Sequence, residues 1–185
     1  MSFITKIYKN FFQKNKFSET VIDIRPKNKI NNGNIILLVH PDGKEEQIHA
    51  YKNLDVRFIG KNSLLKIHSS VKIRSKLTCT LGEGGVVILN ENVTIGNVKF
   101  SMFGENSTIH IGKNTTIHNA TFYCDNEPNS KIYVGEECLF SIEIVIRACD
   151  GHTIYEKGNP SHILNKPKSG VFIGNHVWIG QRAFI

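Results

Sequence analysis

No stretch of this 185-residue chain is apolar for long enough to cross a bilayer. The longest continuous aliphatic run is Ile35 to Val39, whereas a spanning helix needs about 20 apolar residues. No secretory signal is read ahead of the cysteines. The four of them, Cys79, Cys124, Cys138 and Cys149, form no CxxC pair. That sets aside a disulfide framework and leaves reduced thiols in or near a core, in a cytoplasmic protein. Acidic residues are the minority, 16 against 23 Lys+Arg, for a net charge of +7. The basic residues are scattered and no recognised nucleic-acid motif accompanies them, so nucleic acid is not the expected partner. A surface of this sign attracts anions: a phosphorylated cofactor, an anionic glycan or a membrane surface. Tryptophan occurs once, at Trp178.

What the chain does have is a six-residue period. Ile173, Ile179 and Ile185 are six apart, and glycine follows the first two. The same spacing links Ile59, Leu65, Val71 and Leu77, then Val87 and Val93, then Ile111, Ile117 and Tyr123, then Val134, Phe140 and Ile146. Ile95-Gly96 slips from its run by two. Glycine follows the aliphatic residue again at Gly60, Gly96, Gly112 and Gly135. An antiparallel sheet alternates every second residue and does not repeat glycine at one position. The pattern predicts a solenoid of short parallel strands, with one residue in six turned inward and a small neighbour at the corner. Leu65, Val71, Ile111, Ile117, Val134, Phe140, Ile173 and Ile179 are its expected core.

Residues 1–53 read as a cap on this coil. Within residues 1–17, Ile4, Ile7, Tyr8, Phe11 and Phe12 fall at helical spacing with lysines between them. This predicts a short helix packed on the coil end or on another subunit, with peripheral membrane association as the alternative. Turn clusters at Asn31 to Asn34 and Pro41 to Gly43 bracket a buried strand over Ile35 to Val39. Residues 54–185 read as the coil. Residues 150–170 break its period, and a loop of that length inside a repeat fold is usually functional. The pattern stops in mid-repeat at Ile185, so the coil is expected to be shortened at its C-terminal end.

Several segments carry a more specific likeness. They are Cys138-Leu139-Phe140-Ser141, Ile146-Arg147, Asp150-Gly151-His152-Thr153-Ile154, Asn165-Lys166-Pro167, and Ile173-Gly174-Asn175-His176-Val177-Trp178-Ile179-Gly180. Together these resemble the hexapeptide-repeat acyltransferases, in particular the O-acetyltransferases of bacterial capsule and other surface polysaccharides, including the polysialic acid O-acetyltransferases. The resemblance implies a left-handed parallel β-helix, a homotrimer, and acetyl-CoA as co-substrate. It implies that His152 is the catalytic base and that Trp178 belongs to the active site. The left hand comes from the resemblance alone, since general chain-crossover rules favour the right.

The chemistry suits these residues. Moving an acetyl group from a thioester to an alcohol needs a base for the hydroxyl proton, and imidazole serves near neutral pH. Asp150 is the candidate to orient that ring. Arg147, Asn165 and Lys166 are candidate substrate or cofactor contacts. No metal is expected: His110 and His118 lack a third histidine in a matching pattern. Cys149 beside Asp150 is a weaker candidate nucleophile, and His176 a surface or inter-subunit residue. The expected function is acetyl-CoA-dependent O-acetylation of a bacterial surface polysaccharide or its precursor, in the cytoplasm or at the inner face of the membrane. The alternatives are N-acetylation of an amino sugar and a non-catalytic scaffold in polysaccharide synthesis.

Overall fold

The computed structural model describes residues 32–125, 127–150, 152–165 and 170–185. Residues 1–17 and Lys166 lie outside the described residues. Every regular element among those described is a strand: β1 (Ile35–Val39), β2 (Glu45–Ile48), β3 (Leu54–Phe58), β4 (Leu64–His68), β5 (Lys72–Leu81), β6 (Val86–Leu89), β7 (Thr94–Met102) and β8 (Thr108–Ile111). Then come β9 (Thr116–Tyr123), β10 (Lys131–Val134), β11 (Leu139–Phe140), β12 (Ile144–Arg147), β13 (Tyr155–Glu156), β14 (Asn159–Ile163), β15 (Val171–Ile173) and β16 (Trp178–Ile179).

These strands stack as a parallel β-solenoid with three ladders around one core. The first ladder joins β1, β4, β6, β8, β10 and β15, all parallel. The long strands β5, β7 and β9 bend through two ladders. Their first halves, with β11 and β16, make the second ladder. Their second halves, with β3 and β12, make the third. Partners in successive coils are 22 residues apart at Leu65↔Val87 and Val87↔Ile109, and 23 at Ile109↔Ile132. β1 falls within residues 1–53, yet it pairs parallel with β4 and so belongs to the first ladder. β2 returns antiparallel along the outer edge of β1 and presents Glu45, Glu46 and Gln47 to solvent, a charged edge that discourages further pairing.

Strand alternation turns two or three residues of each ladder inward, more than the one in six that the period suggests. Leu65 and Ile67 face inward on the first ladder, Ile73 and Ile95 on the second, and Cys79, Phe100 and Phe122 on the third, all buried. Phe122 meets Phe100 edge to face at 5.1 Å and Phe140 at 6.2 Å, making an aromatic spine. Seven of the eight expected core residues are buried. Ile173 is only half-buried, because β15 is the outermost strand of its ladder among the described residues. In the same way β1, expected to be buried, buries only Ile36. Ile59 is exposed, and Tyr123 lies outside while Phe122 lies inside. The corner after Ile117 makes Ala120 the next inward residue, three on rather than two, and so shifts the register. All four cysteines are buried free thiols. Burial, with Cys149 and Asp125 nearby, pushes the Cys124 thiol up to about 12.

The corners divide two tasks between asparagine and glycine. Asn62, Asn106 and Asn129 take positive φ, as does Gly84 between them. Each donates its backbone N–H to the coil beneath, for instance Asn106 to the Glu83 carbonyl at 2.8 Å and Asn129 to the Glu105 carbonyl at 2.7 Å. Asparagine tolerates this conformation better than most side chains. The glycines of the repeat serve close approach instead. A Cβ on Gly96 would stand 2.1 Å from the His118 carbonyl oxygen, and one on Gly112 would stand 2.4 Å from the Gly135 backbone. Gly112→Ala should therefore destabilise the coil by roughly 1–3 kcal/mol. Asn114→Ala, at φ 58°, should cost about 1–2 kcal/mol through its backbone conformation. Denaturant melts of both variants test this, and an unchanged midpoint for Gly112→Ala would show that the coils are not in such tight contact.

Candidate active site

After β12, on the third ladder, the chain leaves the coil. Ala148 and Cys149 are still buried, and the Cys149 thiol donates to the Asp125 carbonyl oxygen at 2.7 Å. Asp150 and His152 are exposed. The excursion predicted over 150–170 is built on a hairpin. β13 and β14 pair antiparallel, with Gly158 at φ 83° in the turn and the His162 ring nitrogen bonded to Glu156 at 2.9 Å. The Leu164 N–H donates to the Ile154 carbonyl oxygen at 2.8 Å. The chain rejoins the first ladder through Gly170, where a Cβ would stand 2.3 Å from the Lys131 carbonyl oxygen.

Asn165 closes this arm. Its amide nitrogen donates to the Asp150 carboxylate at 2.9 Å and to the His152 carbonyl oxygen at 2.7 Å, and its amide oxygen accepts from the Ile154 N–H at 2.7 Å. One side chain thus ties the two ends of the hairpin together and fixes the backbone on both sides of His152. The Asp150 carboxylate bonds to Asn165, and the His152 ring has no hydrogen bond among the described residues. The ring stands in solvent. The six-residue phase from Ile146 would have turned His152 into the core, but the chain has already left the coil. Asn165, a candidate substrate or cofactor contact by sequence, has its amide bonded within the loop.

The other candidates occupy different sides of the coil. Trp178 stands on the second ladder beside Leu139, with 76% of its surface exposed. The arm bearing His152 spans from the third ladder to the first, so it rises from the corner opposite the Trp178 face. The fold of one chain does not bring these two side chains together. Arg147, half-buried on the third ladder, places its guanidinium over the Tyr123 ring at 4.5 Å from the centroid. Tyr123 was placed in the core by period, and only the structure shows it as this cation's support. His176 is exposed, at φ 59°, and its ring lies 3.1 Å from the Glu137 carboxylate, an ion pair when the ring is protonated. His110 lies on the first ladder and His118 at a corner of the second, on different faces. Burial lowers the pKa of both, and the Arg74 charge adds to the effect at His118.

Among solved structures, the chain is similar to the polySia specific acetyltransferase NeuO. The TM-score is 0.67 at 23% sequence identity, covering 82% of this chain and 64% of that one. The two share a fold. The chain spans less than two thirds of NeuO's length. No protein-family model matches the sequence, and no curated protein sequence does.

Asn165→Ala should loosen the arm without unfolding the coil, because every bond it breaks lies in exposed chain. The Ile154 amide should exchange with solvent at least tenfold faster, while the thermal midpoint of the coil stays within about 2 °C. Unchanged exchange at Ile154 would show that the three bonds are not what holds His152.

Proposed function

We propose that this chain is an acetyl-CoA-dependent acetyltransferase acting on a hydroxyl of a bacterial surface polysaccharide or its precursor. The observation that carries the proposal is the Asn165-closed arm, which holds the His152 backbone in place and leaves its imidazole exposed and without a hydrogen bond among the described residues. The fold shared with an acetyltransferase supports it, and so do the Asp150 to Ile154 and Ile173 to Gly180 segments.

In this reading the imidazole of His152 takes the proton from the acceptor hydroxyl. The oxygen attacks the thioester carbonyl, the carbon–sulfur bond breaks, and the thiolate leaves and is protonated. Asp150 acts at one remove: its carboxylate anchors Asn165, and Asn165 anchors the His152 backbone. No acyl-enzyme is needed, since holding thioester and hydroxyl together supplies much of the acceleration. Arg147, fixed over Tyr123, is the cation nearest in sequence to the loop, and together with Lys166 it is the candidate contact for an anionic group of donor or acceptor.

The separation of His152 from Trp178 gives the proposal its assembly. If both serve one site, they come from two subunits, as in a homotrimer with an active site between neighbours. The arm supports this reading, since it exposes Ile154, Tyr155 and Leu164, each more than half accessible.

Two measurements test the proposal. His152→Ala should lower turnover by roughly two to four orders of magnitude, the usual contribution of a general base, while His176→Ala, whose ring serves Glu137, should stay near wild type. The reverse pattern would mean the wrong histidine has been assigned. Separately, inactive His152→Ala and Trp178→Ala chains mixed in equal amounts and reassembled should recover about a quarter of wild-type activity, the random-mixing value for sites shared between neighbours. No recovery would place the whole site in one chain.

A further inference from the structure

The outward side of the first ladder bears a structure lined by none of the residues assigned above to acyl transfer. Between its two inward columns stand Leu37, Lys66, Ile88, His110, Tyr133 and Phe172, one per coil in direct register. The last three stack. The His110 and Tyr133 centroids are 5.4 Å apart at 32°, and those of Tyr133 and Phe172 are 5.4 Å apart at 7°. Beside this stack runs a trough of about 760 Å³. It draws on five successive coils, from His68 to Phe172, a length of roughly 19 Å at the usual spacing between strands. The trough exists because of coil packing. Gly112 and Gly135 form its floor, and neither can carry a side chain without striking the next coil.

Its walls are rigid and present unused hydrogen-bonding groups. Asn90 donates to the His110 ring at 2.9 Å and to the Ile111 carbonyl oxygen at 2.8 Å. Held by Asn90 and stacked on Tyr133, the imidazole serves as part of the wall. Asn175 accepts from the Glu136 N–H at 2.9 Å. Among the described residues this leaves the Asn90 amide oxygen, the Asn175 amide nitrogen and the Tyr133 hydroxyl without partners. Phe172 is 62% exposed, so the ring surface not stacked on Tyr133 is open.

Charge and backbone narrow the occupant. The lysine of the trough, Lys113, is paired with Glu136 at 3.3 Å, and Glu91 also stands on the rim. Among the described residues no surplus of cations lines the trough to hold a phosphate or carboxylate. Four of the five strands here, β4, β6, β8 and β10, are paired on both sides, and only β15 keeps an open edge, at one end of the trough, so a peptide laid along the trough has no strand edge to extend. What remains is a long ligand that is uncharged, rich in hydroxyl or amide groups, and able to lay C–H surface on a ring.

We propose that this trough binds an uncharged stretch of a glycan chain, gripped by Asn90, Asn175 and the Tyr133 hydroxyl and packed against Phe172. The site is separate from the His152 arm, which meets the first ladder at its opposite corner. It does not depend on the acyl-transfer reading, and turnover is not needed to detect it.

The test is direct titration of the full chain with uncharged tetrasaccharides of glucose, galactose and N-acetylglucosamine, followed by ligand-observed NMR and calorimetry. At least one should bind. Phe172→Ala and Asn175→Ala should each weaken that binding about fivefold, the loss expected for one ring contact or one hydrogen bond. Phe184→Ala, which removes a comparably exposed ring on the third ladder, away from the trough, should leave it unchanged. Four outcomes overturn the proposal: no binding by any tetrasaccharide, binding indifferent to both trough variants, a sialic acid oligomer bound more tightly at the same residues, or a smaller oligomer on sedimentation of Phe172→Ala, which would make the trough an interface between copies. Saccharide binding that persists in a chain with no transferase activity would contradict the acyl-transfer reading alone.

Discussion

Everything in this molecule depends on how closely one coil lies on the next. Parallel strands in register sit about 4.8 Å apart, and at the corners the backbone itself must keep that spacing. Where Gly96 lies over His118, or Gly112 over Gly135, no Cβ fits. Where the chain must turn through a left-handed conformation, asparagine takes the position and hands its N–H to the coil below. The core then fills with inward residues that stack on their own kind, Leu65 on Val87 on Ile109 on Ile132.

A stack this regular has little room for chemistry, so function gathers where the regularity fails or where it leaves a space. The arm after β12 is the failure. It leaves the core at buried Cys149, doubles back as a hairpin, and is closed by Asn165. The trough beside His110, Tyr133 and Phe172 is the space, kept open by the glycine positions that the stacking requires. One constraint thus leads to two candidate binding regions on different sides of the coil.

The fold was legible because its period is written in large aliphatic residues, and the six-residue runs led to Leu65, Val71, Ile117 and Phe140 as core. Period alone could not place the corners. Each corner adds or drops a residue, so the six-residue run reaches Tyr123 where Phe122 is the inward residue, and begins at Ile59, which is exposed. The hand of the coil is not encoded in the period at all and came from the resemblance. At the candidate site, the position of the loop and the motif around His152 could be read, whereas the six-residue phase alone points His152 inward and the structure leaves it exposed. The part played by Asn165 could not, since its partners Asp150, His152 and Ile154 are eleven to fifteen residues away and meet it only after the hairpin forms. Nor could the sequence show that Trp178 stands on a different face from the arm, because that depends on which ladder each segment joins.

The most direct test of acetyl transfer is to follow the label. The full-length protein would be incubated with acetyl-CoA carrying isotope in its acetyl group, together with a hydroxyl-bearing surface polysaccharide, and the polymer product examined by NMR. The expected result is label in an ester carbonyl on a sugar oxygen, with none appearing when His152 is replaced by alanine. Label in an amide would contradict transfer to a hydroxyl, and a polymer without label, from protein shown to bind acetyl-CoA, would contradict transferase function itself.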